Sequence, residues 1–138
     1  MKNKMIIGAL IALVAVGVFF VLDSRGGNVR HVERKIFGTN TYTEQEINDA
    51  MEVVVREFKK EAKGCKLTRL WYDEEYSDQQ SPGWKAQYNA KDVIVLLSNF
   101  SVDSSGGDGS LEPNSNYSNW QWILVRNEQG WEIMTSGY

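Results

Sequence analysis

The chain has 138 residues, and Met5 to Leu22 is an apolar run without a single charge, which no ordinary soluble core contains. Residues 36–138 hold 9 Lys/Arg against 16 Asp/Glu, net −7; a stretch of that length and balance excludes two domains and excludes a phosphate-binding, nucleic-acid surface. One Cys excludes an intramolecular disulfide, and the one His, His31, lies outside this stretch, which removes histidine triads and histidine zinc sites from it.

Residues 1–4 form a short N-tail carrying Lys2 and Lys4. The apolar run 5–22 would make a helix of roughly 27 Å, close to the ~30 Å hydrocarbon core, and is read as a single transmembrane anchor. Cleavage after Ala15-Val16-Gly17 would leave Val18 to Leu22 exposed in water, so the anchor is expected to stay uncleaved. Arg25, Arg30, Arg34 and Lys35 follow it and favour a cytoplasmic domain, whereas the export-like N-tail favours the opposite. Residues 23–42, with Ser24, Gly26, Gly27, Asn28 and Gly38-Thr39-Asn40, read as a solvated tether.

Residues 43–138 read as one globular domain. Thr43 and Glu46 have the spacing of a capping box, and Ile47, Met51, Val54, Phe58 and Ala62 form one apolar stripe, which predicts a long helix ending at Gly64. Lys66 to Tyr72 predicts a strand, and Ser81-Pro82 predicts the start of a short helix through Tyr88. Val93 to Val102 predicts a central strand; Asn119 to Arg126 and Trp131 to Thr135 predict a hairpin around Asn127–Gly130. The expected class is α+β, with the long N-terminal helix packed on a curved antiparallel sheet of about four strands.

Candidate chemistry is sparse. Cys65 has no histidine to draw its proton and reads as a small buried hydrophobe. The carboxylates Asp73, Glu74, Glu75 and Asp78 read as a solvated turn rather than a hydrolytic pair. The loop Asp103 to Glu112 offers oxygen ligands and glycines, with Asp103, Asp108 and Glu112 as its candidates. Its spacing fails the EF-hand rule, because Asp108 stands at the sixth position and Asn114 at the twelfth. No metal, cofactor or catalytic residue is therefore expected. Aromatic side chains are the positive signal: all five Trp, all six Tyr and three Phe lie in residues 36–138. Trp120, Trp122 and Leu124 share one strand face while Ile123 and Val125 share the other, and a single helix covers only one face. Small β-branched residues suit close packing against the helix, which predicts Trp120, Trp122 and Leu124 as a binding surface on the far side.

The segments Thr43–Met51, Gly64–Glu75, Ile94–Phe100, Val102–Leu111, Pro113-Asn114, and Trp120–Arg126 through Gly137-Tyr138 resemble a family of small uncharacterised domains from Gram-positive bacteria such as clostridia. Members follow an export signal, a lipoprotein signal or a membrane anchor, so the resemblance implies an extracellular domain on a single-pass cell-membrane anchor. This chain departs from the lipoprotein members by having no Cys after its apolar run. The resemblance implies a cystatin-like or nuclear-transport-factor-like shape and transfers no activity. Two functions are open: a non-catalytic binding or assembly domain for a protein partner or wall component, and a small-molecule binder or carboxylate-based enzyme with a pocket between helix and sheet.

Overall fold

A computed structural model of the chain describes residues 26–138. The anchor read at residues 5–22 lies outside them, and among the described residues no helix is long and apolar enough to cross a membrane. The elements are β1 (Glu33–Phe37), α1 (Glu44–Glu61), β2 (Cys65–Asp73), α2 (Glu74–Tyr88), β3 (Val93–Val102), β4 (Asn116–Asn127) and β5 (Gly130–Gly137). They build one sheet in the order β1-β2-β3-β4-β5, parallel between β1 and β2 and antiparallel elsewhere.

This corrects the expected antiparallel sheet of about four strands: the sheet is mixed, five-stranded and accompanied by two helices. The fifth strand comes from residues read as tether. Parallel neighbours need a long crossover, and α1 is that crossover between β1 and β2. The approach to β1 is also docked. Gly27 N–H donates to Lys59 O at 3.0 Å, Asn28 N–H donates to Cys65 O at 2.9 Å, and Leu67 N–H donates to Asn28 O at 2.9 Å. A Cβ on Gly27 would stand 2.2 Å from Phe58 O, so only glycine lets the chain lie this close to α1.

Helix α1 starts where the capping pattern predicts. Thr43 Oγ1 accepts from Glu46 N–H at 3.1 Å, and Thr43 N–H donates to Glu46 Oε1 at 2.8 Å. Its buried residues Ile47, Ala50, Met51, Val54 and Phe58 meet Leu67, Leu70, Tyr72, Ile94, Leu96, Phe100, Val102, Trp122 and Leu124 on the sheet. At its N-terminal end, Arg126 ion-pairs with Glu46 and, at 3.1 Å, with Asp92, while its guanidinium lies over the rings of Tyr42 and Trp131.

Helix α2 is longer than the predicted Ser81–Tyr88. It begins directly at the end of β2, with Asp73 as N-cap accepting from Tyr76 N–H at 3.2 Å. Of the carboxylates read as a solvated turn, Asp73 is this cap, and Glu74 and Glu75 lie in the first turn, where negative charge meets the positive end of the helix dipole. Asp78 lies beyond it and accepts from Thr41 Oγ1 at 2.9 Å. Glu74 also accepts the backbone N–H groups of Asn40 and Thr41, at 2.6 and 2.7 Å. Beyond Trp71 strand β2 no longer pairs with β3, and α2 supplies the missing partners. Ser77 Oγ accepts from Val95 N–H at 3.0 Å, and Ser81 Oγ donates to Val93 O at 3.3 Å. Tyr76, Trp84 and Tyr88 then pack on Val93, Val95, Ile123 and Val125.

The second sheet face is therefore covered by α2, and the predicted sidedness is reversed. Trp122 and Leu124 belong to the α1 core, at 8% and 0% exposure, and the β-branched Ile123 and Val125 face α2.

Candidate functional site

A groove of about 340 Å³ opens where the C-terminal half of α1, the β3–β4 loop and the sheet meet. Its aromatic floor comes from the sheet: Phe100 of β3, with Trp120 and Trp122 of β4. Trp122 is fixed by an Nε1–H bond to Ser98 Oγ at 2.8 Å. Trp120 is half-buried and packs edge-on against Phe100, Tyr117 and Tyr138, with ring centroids 5.3, 5.5 and 5.2 Å away. The floor thus runs from the packed core toward the exposed ring of Tyr138.

One wall is the β3–β4 loop, which contributes Gly107, Asp108, Ser110 and Leu111. This loop is folded against the α1–β2 turn: Asp103 N–H donates to Gly64 O at 2.9 Å, and Leu111 N–H donates to Gly106 O at 3.1 Å. Gly106 is held at φ +71°, and a Cβ there would meet Leu111 O at 2.7 Å, so the tight turn requires glycine. Asp103 and Asp108 each form an Asx turn with the serine two residues on. Asp103 accepts from Ser105 N–H at 2.8 Å and Asp108 from Ser110 N–H at 3.0 Å, each serine hydroxyl also donating to the same carboxylate. The serine hydroxyl bonds, followed by the backbone bonds, hold both carboxyls below their ordinary range.

The opposite wall is α1, with Glu57 and Glu61 one helical turn apart, and Lys63 follows beyond the helix end. Partial desolvation, then repulsion from Glu61, raises the Glu57 carboxyl above its ordinary value, and Lys60 offsets this only in part. Cys65 lies at the base. Burial, then the negative charge of Asp103 and Asp108, raises its thiol, and Sγ donates to Lys63 O at 3.7 Å. A thiol held protonated beside carboxylates is a poor nucleophile.

The structure brings Trp120, Trp122 and Asp108 together in this groove, with Cys65 at its base, and leaves Leu124, Asp103 and Glu112 apart from it. Leu124 is sealed in the core, Asp103 sits at the foot of the loop, and Glu112 is exposed, its N–H donating to Tyr117 Oη at 3.1 Å. Sequence reasoning missed Phe100, Glu57 and Glu61. Two glutamates spaced i, i+4 at the negative end of a helix were the available signal. A second hollow, about 410 Å³, lies along β1 and is walled by residues such as Arg34, Lys35, Thr39 and Glu44, with no aromatic ring. Among the described residues no three His, Cys, Asp or Glu side chains gather where a metal ion could be held. Comparison with protein-family models, curated proteins and solved structures returns no match.

Proposed function

We propose that this protein is a non-catalytic binding domain and that its partner or ligand seats in the groove between α1, the β3–β4 loop and the sheet. The observation that carries the reading is the half-buried Trp120 in the groove, backed by the buried rings of Phe100 and Trp122 and set between α1 and the β3–β4 loop. Aromatic rings beside a few polar groups are the usual make-up of a recognition pocket. Its chemistry argues against the hydrolytic alternative. Glu57 and Glu61 stand side by side on one helix, whereas a carboxylate pair that cleaves a glycoside must flank its bond from two sides.

The test is photo-crosslinking in intact cells from a benzoylphenylalanine placed at Ser110, on the lip of the groove. A discrete adduct is expected that disappears on Trp120→Ala and that the same probe at Gln79, exposed on α2, does not form. An adduct indifferent to Trp120→Ala, or no adduct, overturns the reading.

A further inference from the structure

We infer that the group taken by this groove is an organic cation, the lysine or arginine side chain of a basic peptide segment; this rests on the groove being the binding site. Three carboxylates, Glu57, Glu61 and Asp108, rim the aromatic floor against the single cation Lys63. Two of them are placed where a helix is harmed by them. Like charges at i, i+4 repel, and a carboxylate in the last turn opposes the negative end of the helix dipole. None of the ion pairs found among the described residues involves Glu57, Glu61 or Asp108. A cation entering the groove would relieve the repulsion, sit in the favourable field of the helix end and lie against the half-buried indole of Trp120, an aromatic ring whose face attracts positive charge. A neutral ligand would gain only the last contact, and an anionic one would be repelled. The net −7 of residues 36–138 would draw a basic partner toward the domain.

The full chain, kept in a nonionic polyoxyethylene detergent because of its apolar run 5–22, is titrated calorimetrically with three probes. These are a short glycine peptide carrying lysine and arginine, the same peptide with glutamine in their place, and a neutral oligosaccharide. The basic peptide alone should bind, and its affinity should fall about tenfold or more on Trp120→Ala and again on the double substitution Glu57→Gln, Glu61→Gln. The double variant should melt no lower than the parent, since repulsion is removed, so lost binding is not lost folding. Should the neutral peptide or the oligosaccharide bind as well, sensitive to Trp120→Ala but not to the glutamine pair, the cation inference is overturned and the groove reading stands. Binding of the basic peptide that survives Trp120→Ala overturns the inference as mere surface charge. If no probe binds, the inference is overturned, and the Ser110 crosslink then decides the groove reading separately.

Discussion

Two tryptophans two residues apart on one strand carry different burdens. Trp122 is 8% exposed, among core side chains, and its indole N–H is bonded to the fully buried Ser98. Truncating such a side chain typically costs about 3–5 kcal/mol, so Trp122→Ala should show that loss in urea unfolding. Trp120 is half-buried in the aromatic row, and Trp120→Ala should cost less than half as much while removing binding. Equal losses would make Trp120 a core residue and deprive the groove of its anchor. The two glutamates of α1 give opposite pH signatures. The Thr43 N–H, then Arg126, lowers the Glu46 carboxyl, so the unfolded chain binds its proton more tightly. Its contribution is present above the ordinary glutamate range and lost as pH falls through the depressed value. Glu57 is raised, so the native state binds that proton more tightly, and the associated stability is lost as pH rises through the raised value. Acid titration of unfolding should therefore show a shallower acid loss in Glu46→Gln and a steeper rise toward neutrality in Glu57→Gln. Unchanged slopes would mean that neither carboxyl is coupled to folding.

At the level of elements, the parts that could be read in advance are those whose signal is local. The Thr43–Glu46 capping box and the stripe from Ile47 to Phe58 specify α1 within their own span, and the alternation through Trp122 specifies β4. Strand β1 escaped because three of its five residues are charged and only Ile36 is half-buried, which resembles a stalk. The first half of α2 escaped because Pro82 suggested a start at Ser81, an interior proline removing a helix hydrogen bond, whereas the helix runs on through it. Residue types pointed to Trp120, Trp122 and Asp108, but the face they occupy is decided by which helix covers which side. That is a tertiary fact. The role of α2 can be tested directly: Ser77→Ala would leave the buried Val95 N–H without its acceptor. An orphaned buried donor costs about 1–3 kcal/mol, and the Val95 amide should also lose protection from hydrogen exchange. Full protection in the variant would show that another group had taken over the ladder.

Over the whole molecule, the boundary of the folding unit differs from the one suggested by composition. The change from polar tether to amphipathic helix falls at Thr43, yet residues N-terminal to it are part of the packing. Tyr42 is 6% exposed, donates its hydroxyl to Val93 O at 3.0 Å and meets Trp131 edge-on at 5.4 Å. Val29, Val32 and Ile36 pack on the main core, and β1 covers the edge of β2 with a parallel ladder from Glu33–Arg69 to Phe37–Asp73. A chain beginning at Thr43 would expose that edge, an invitation to pairing with another molecule. Loss of the Tyr42 ring alone falls in the class of aromatic truncations that cost about 3–5 kcal/mol, a large share of the 5–15 kcal/mol that holds a typical domain together. A fragment of residues 43–138 should therefore unfold at much lower urea than one of residues 26–138, and should self-associate at concentrations where the longer fragment is monomeric. Both quantities are read from one pair of samples, by urea titration and by sedimentation. Coincident unfolding curves with both fragments monomeric would reduce β1 and its approach to a peripheral attachment and restore Thr43 as the start of the domain.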